Sequence, residues 1–186
     1  VPNVVSFIRL GMIPVFVWRF LTAESRSELV VSFVLLGLIG GTDWVDGFLA
    51  RRLHQVSVLG QLIDPVADRL AIIVAIIAIM IRTDNVIPIP VAASILVREA
   101  IIALTFGALE AKGYPRLPVN RTGKAATACI FTGMAFGAGS LVASESITEI
   151  MRVTGIVLLG AGSLLYWIAA LFYFRQIRAM LQKGLP

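Results

Sequence analysis

Four aspartates, at positions 43, 46, 64 and 68, are the side chains in this sequence best placed to do chemistry. They lie in a chain of 186 residues that is 58% hydrophobic and only 15% charged. Carboxylates set among apolar runs are costly to hold in a bilayer, so each reads as functional. On a helix Asp43 and Asp46 are three apart and share a face, with Gly47 and Ala50 on the same side. Asp64 and Asp68 are four apart on the next segment, with Gly60 one turn earlier. An antiparallel helix pair joined by the polar turn at 51–57 brings both acidic pairs near one end. Converging carboxylates without cations between them repel severely. Divalent metal ions remove that conflict. All-oxygen ligation, with no His or Cys cluster, points to Mg²⁺, Mn²⁺ or Ca²⁺ over zinc. Two such ions suit an in-line displacement at phosphorus.

The other residues of the stretch fit a phosphate ligand. Gly47, Ala50 and Gly60 carry little or no side chain, so a bulky group can approach the helix backbone there. A glycine inside a helix costs roughly 1 kcal/mol relative to alanine, so two of them on this face point to packing or ligand access. Arg51 offers a planar fork that matches phosphate oxygens.

The full pattern, Asp-x2-Asp-Gly-x2-Ala-Arg-x8-Gly-x3-Asp-x3-Asp, resembles the signature of the CDP-alcohol phosphotransferases at every fixed position. The resemblance implies a bundle of six transmembrane helices, usually a homodimer, with the signature at the cytoplasmic ends of the second and third. It implies transfer of a phosphatidyl-type group from a CDP-linked lipid to an alcohol, with release of CMP. By the same resemblance Asp43, Asp46, Asp64 and Asp68 bind two divalent ions, Mg²⁺ or Mn²⁺. Asp68 is also the general base for the acceptor hydroxyl. Asp43, Asp46, Gly47, Ala50, Arg51 and Gly60 form the nucleotide-binding set.

The elements that must position these residues are legible from hydropathy. Mean hydropathy of +0.91 is too high for a soluble domain and fits a single polytopic membrane domain over 1–186. Six apolar segments near the roughly 20 residues that span a bilayer are expected at about 4–21, 29–50, 61–81, 91–111, 123–143 and 147–174. Pro14 is expected to kink the first. The expected fold class is therefore all-α, a six-transmembrane-helix bundle. The first apolar run carries Arg9 and Arg19, unlike a cleavable signal peptide. Cys129 is the one cysteine and reads as a packed small hydrophobe. His54, in the polar turn, reads as a solvated loop residue.

Charge placement orients this bundle. With six spans, the termini and the second and fourth connections share one side. That side carries Arg51, Arg52, Lys112, Arg116, Arg121, Lys124, Arg175, Arg178 and Lys183. The other has Arg26, Arg82 and Arg152 among several carboxylates. The positive-inside rule puts the termini and the motif on the cytoplasmic face of the cell membrane. The net charge of +5 is then a topology signal, with no need of a nucleic-acid partner.

Further charges fall inside or beside apolar runs. Arg98 and Lys124, with Arg116 and Arg121 at its mouth, are expected to form a cationic pocket for an anionic acceptor. Each has a plainer reading: Arg98-Glu99 as an intramembrane ion pair, and Arg121 and Lys124 as interface anchors. Arg69 either neutralises the acidic cluster or contacts ligand. Gly37-x3-Gly41 and Gly133-x3-Gly137 permit close helix contact.

The donor expected from the resemblance is CDP-diacylglycerol. Asp64-Pro65-x2-Ala-Asp68, the opening Pro2-Asn3-x2-Ser6-x2-Arg9 and Arg98-Glu99 resemble the branch that uses glycerol 3-phosphate, the favoured acceptor. Gly113-Tyr114-Pro115-x-Leu-Pro118-Val119, leading to Gly123-Lys124-Ala-Ala-Thr127, resembles the cardiolipin synthases, which use phosphatidylglycerol. An inositol-phosphate acceptor is a weaker third, since Ser is typical where Pro65 stands. A cation transporter is the alternative class. It has no need of Gly47, Ala50, Arg51 and Gly60 at fixed spacing.

Overall fold

The computed structural model describes the backbone of residues 2–53, 58–83, 86–114 and 120–182, and side chains there except at 2–6, 42–53, 58–66 and 68. Among the described residues the chain is all-helical, with six helices and no strand. They are α1 (Pro2–Thr22), α2 (Arg26–Leu53), α3 (Val58–Arg82), α4 (Ile89–Ala111), α5 (Arg121–Gly139) and α6 (Glu145–Gln182). Each expected segment corresponds to one helix, and α1 continues through Pro14.

Local chemistry sets the ends. At the turn into α2, a Glu28 carboxylate oxygen accepts from the backbone N–H of Glu24 at 2.7 Å and of Ser25 at 3.2 Å. Helix α4 opens behind Pro88 with Pro90 in its first turn, where a missing N–H is harmless. It closes on Gly113 at φ 79°, with Tyr114 N bonded to Leu109 O and Gly113 N to Glu110 O. That pairing is the helix-ending motif that favours glycine in the left-handed region. Asn120 caps α5 by accepting from Thr122 N at 3.0 Å.

Two boundaries depart from the hydropathy reading by four residues or more. Helix α5 stops at Gly139, short of 143, because Ser140 Oγ donates to Gly137 O at 2.6 Å and the following N–H groups tighten the turn. Helix α6 runs on to Gln182, beyond 174, through a stretch rich in Arg, Gln, Leu and Met, all strong helix formers. Its 38 residues reach about 57 Å at a rise of roughly 1.5 Å each. That exceeds the roughly 30 Å hydrocarbon core of a bilayer.

One apolar core runs through all six helices. It includes Phe16 and Phe20 of α1, Ile39 of α2, Ile72, Ile76 and Ile79 of α3, Ile95 of α4, Ile130 and Met134 of α5, and Leu159 of α6. The exterior is also apolar: Leu104, Leu164, Ile81, Ile150 and Val157 are each more than 60% exposed. A monomeric soluble protein rarely presents contiguous surface of this kind. Among the described residues two helices, α4 and α6, are long and apolar enough to cross a membrane.

Helices α5 and α6 come closest. A Cβ added at Gly133 would sit 2.9 Å from Leu159 N, and one at Gly155 only 2.7 Å from Gly137 N. The Gly133-x3-Gly137 spacing therefore serves backbone-to-backbone packing, with Gly155 as its counterpart. At Gly37 and Gly41 nothing described lies within 4 Å of an added Cβ. Gly40 is the close approach on α2, lying under the Phe131 ring. Small residues three or four apart permit contact, but the turn of the helix decides which of them faces a neighbour.

Candidate functional site

The motif straddles two consecutive helices in contact. Asp43, Asp46, Gly47, Ala50 and Arg51 belong to the C-terminal half of α2, and Gly60, Asp64 and Asp68 to the N-terminal half of α3. Leu53 and Val58 are joined through residues 54–57, so they stand no more than about 18 Å apart. The side chains of all eight motif residues, with His54 and Trp44, lie outside the described residues. Arg116, the expected mouth of the acceptor pocket, does too.

The first described side chain beyond the motif is Arg69, next to Asp68. Its Nε stands 3.7 Å from Glu99 Oε2 on α4, and its guanidinium lies over the Phe106 ring, 5.5 Å from the centroid. Glu99 is 1% exposed. Its other oxygen, Oε1, accepts from Arg98 Nη1 at 2.8 Å. Arg98 is itself buried, with Cζ 3.9 Å from the centroid of the Tyr166 ring of α6. Tyr166 OH is 3.2 Å from Thr127 Oγ1 of α5.

One carboxylate thus stands between two guanidiniums, and the three groups together carry one net positive charge. Burying charge is tolerable only when it is paired. Here the excess is cationic, and it adjoins in sequence the acidic half of the motif on α3. Among the described groups, Arg98 Nε and Glu99 Oε2 have no hydrogen-bond partner.

Of the expected acceptor residues, Arg98 is interior while Arg121 and Lys124, in the first turn of α5, are exposed. No described hydrogen bond or ion pair joins either to Arg98. The α5 entrance is fastened by Asn120 N, which donates to Tyr173 OH at 3.1 Å, and Tyr173 meets Phe106 edge-on at 5.3 Å. Farther along α4 and α6, Trp167 Nε1 donates to Ser94 Oγ at 2.8 Å, and Ser94 Oγ lies 2.9 Å from Ser163 Oγ. Sequence reasoning singled out Arg69 and the pair Arg98-Glu99 separately. It missed that Glu99 joins them and that Tyr166 carries the Arg98 guanidinium. Neither contact has a signal in sequence spacing. Among the described residues no group of three or more His, Cys, Asp or Glu is placed to hold a metal ion.

The chain matches the family model described as CDP-alcohol phosphatidyltransferase over residues 1–172. It is 35% identical to a Streptomyces coelicolor protein named cardiolipin synthase (CMP-forming), over 98% of this chain and 84% of that protein. It is 35% identical to a Pseudomonas fluorescens CDP-diacylglycerol–glycerol-3-phosphate 3-phosphatidyltransferase, over 55% of this chain and 52% of the relative. A Homo sapiens cardiolipin synthase (CMP-forming) is 33% identical over 66% of this chain, which spans 38% of that protein's length. The chain belongs to the CDP-alcohol phosphatidyltransferase family and is a transferase of that kind.

Proposed function

We propose that the protein transfers the phosphatidyl group of CDP-diacylglycerol to the hydroxyl of a glycerol-type acceptor and releases CMP. One observation carries the reading: all eight fixed residues of the motif are present, divided between two consecutive helices in contact. A cation carrier has no use for the small residues and Arg51 at those positions.

Asp43, Asp46, Asp64 and Asp68 form a donor set of four carboxylates, which suits hard divalent cations. They are the residues that would hold Mg²⁺ or Mn²⁺, two ions by the family pattern. When bound, such ions neutralise charge on the diphosphate and on the departing phosphate. Gly47, Ala50 and Gly60 leave room for the nucleotide against the helices, and Arg51 pairs with phosphate oxygens. Asp68 accepts the proton of the acceptor hydroxyl as its oxygen attacks the lipid-side phosphorus. The bond from that phosphorus to the CMP oxygen breaks, and CMP leaves with the electron pair. The stretch has no Ser, Cys or His nucleophile beside a base, so transfer is direct. Arg98, Lys124, Arg116 and Arg121 are the basic residues proposed to receive an anionic acceptor.

Glycerol 3-phosphate is the favoured acceptor, through Asp64-Pro65 and Arg98-Glu99. Phosphatidylglycerol is the second reading. It is supported by the near full-length similarity to a relative named cardiolipin synthase. The proposal includes a six-span homodimer in the cytoplasmic membrane with the motif at the cytoplasmic face. The apolar exterior and the run of basic residues on the motif side support it. The test is CMP release by purified protein with CDP-diacylglycerol and Mg²⁺ or Mn²⁺, each acceptor offered separately. Release with one acceptor names the branch; none with any acceptor overturns the assignment.

A further inference from the structure

The proposed chemistry leaves Glu99 without a task, although it is one of the most deeply buried charges described. We propose that Glu99 is a positioning residue for the transfer: its carboxylate links Arg98 on α4 to Arg69 on α3, fixing the α3 turn that carries Asp68. This rests on the transferase reading above.

The chain of contacts crosses three helices. Tyr166 of α6 supports the Arg98 guanidinium at 3.9 Å. Arg98 Nη1 holds Glu99 Oε1 at 2.8 Å, within ordinary hydrogen-bond length. Glu99 Oε2 faces Arg69 Nε at 3.7 Å, an ion-pair distance, and Phe106 of α4 backs the Arg69 guanidinium. Arg69 sits one residue, about 100° of helical rotation, from Asp68. Whatever restrains Arg69 therefore restrains the rotation of Asp68, the proposed base, about the α3 axis. In-line attack is sensitive to such placement: a shift of about 1 Å costs on the order of a hundredfold in rate. A simple structural ion pair predicts something else, a loss of stability with unchanged turnover per folded molecule.

The test is Glu99→Gln, which keeps the size but removes the charge that joins the two arginines and turns one accepting oxygen into a donating amide. We expect kcat for CMP release to fall tenfold or more while the KM for CDP-diacylglycerol stays within about threefold, as misplacement of a reacting group implies. Glu99→Asp, which restores the charge, should recover part of the loss. A lowered melting temperature with kcat within twofold of the unchanged protein overturns the proposal. Should Glu99→Gln fail to fold, Arg69→Lys takes its place under the same criterion, because it keeps the charge and loses the Nε contact. Should the unchanged protein release no CMP with any acceptor, the transferase reading falls and Mn²⁺ affinity, measured by electron paramagnetic resonance, decides. Supporting groups around a metal site typically contribute roughly 10–100-fold to affinity. Binding weakened about tenfold in Glu99→Gln sustains positioning; equal binding, or none in either protein, ends it.

Discussion

Gly155 of α6 and Gly137 of α5 lie backbone against backbone, close enough that a Cβ on Gly155 would be 2.7 Å from Gly137 N. The atom it would meet is main chain, so it cannot swing aside as a side chain would. Gly155→Ala should destabilise the protein by about 1–3 kcal/mol, the usual cost of overpacking. Gly160→Ala, with nothing described within 4 Å, should be neutral or stabilising by up to about 1 kcal/mol through helix propensity. Thermal unfolding in detergent of the two variants side by side checks the contrast.

Asp68→Asn should abolish CMP release while the protein still purifies as a folded species. The amide is nearly isosteric with the carboxylate but cannot accept the hydroxyl proton. General-base catalysis alone contributes roughly 10²–10⁴-fold, and loss of a proposed metal donor would add to that. Residual activity within tenfold of the unchanged protein would remove Asp68 from the base role.

Chelation should silence the enzyme reversibly. Activity lost in EDTA should return with Mg²⁺ or Mn²⁺, because four carboxylates suit hard, oxygen-preferring ions. Full activity in excess chelator would exclude a dependence on divalent ions.

Arg82, the last residue of α3, should matter for stability alone. Its two terminal nitrogens donate to Phe20 O and Ala23 O at the end of α1, and its guanidinium lies over the Phe20 ring. The Phe20 carbonyl lies in the last turn of α1, beyond the reach of intrahelical N–H donors, and Ala23 stands just past the helix. Arg82→Met should cost about 1–3 kcal/mol, as for hydrogen bonds from a charged donor. Turnover per folded molecule should be unchanged, as measured by thermal unfolding alongside CMP release.

Glu28, ahead of the apolar stretch of α2, gives a weak acid dependence of stability. The Glu24 N–H first, then the Ser25 N–H, hold its carboxyl below the usual 4.5. A folded value lowered in this way stabilises above about pH 4.5, and the contribution is lost as pH falls through the folded value. Glu28→Gln should flatten that acid limb slightly, measured by melting between pH 3 and 6.

Much of the fold is legible in the sequence. Six apolar segments became six helices because hydropathy and helix propensity act locally, and Gly113 and Asn120 mark ends through their own backbone and side-chain chemistry. The boundaries at 143 and 174 differ for local reasons as well: Ser140 bonds back to Gly137, and residues 175–182 contain neither Gly nor Pro. Gly133-x3-Gly137 forms a packing seam with Gly155, as its spacing allows. Gly37-x3-Gly41, identical in spacing, makes no such contact among the described residues, and Gly40 takes its place against Phe131.

By itself the sequence determined the family and the division of the eight-residue motif between consecutive helices. Residue type and spacing along one chain suffice for those. Only the tertiary structure decided that Glu99 serves two arginines, that Arg98 rests on Tyr166, and that Gly155 answers Gly137. Each joins residues far apart in the chain, and their meeting depends on how the helices rotate against one another, which no spacing within a single helix encodes.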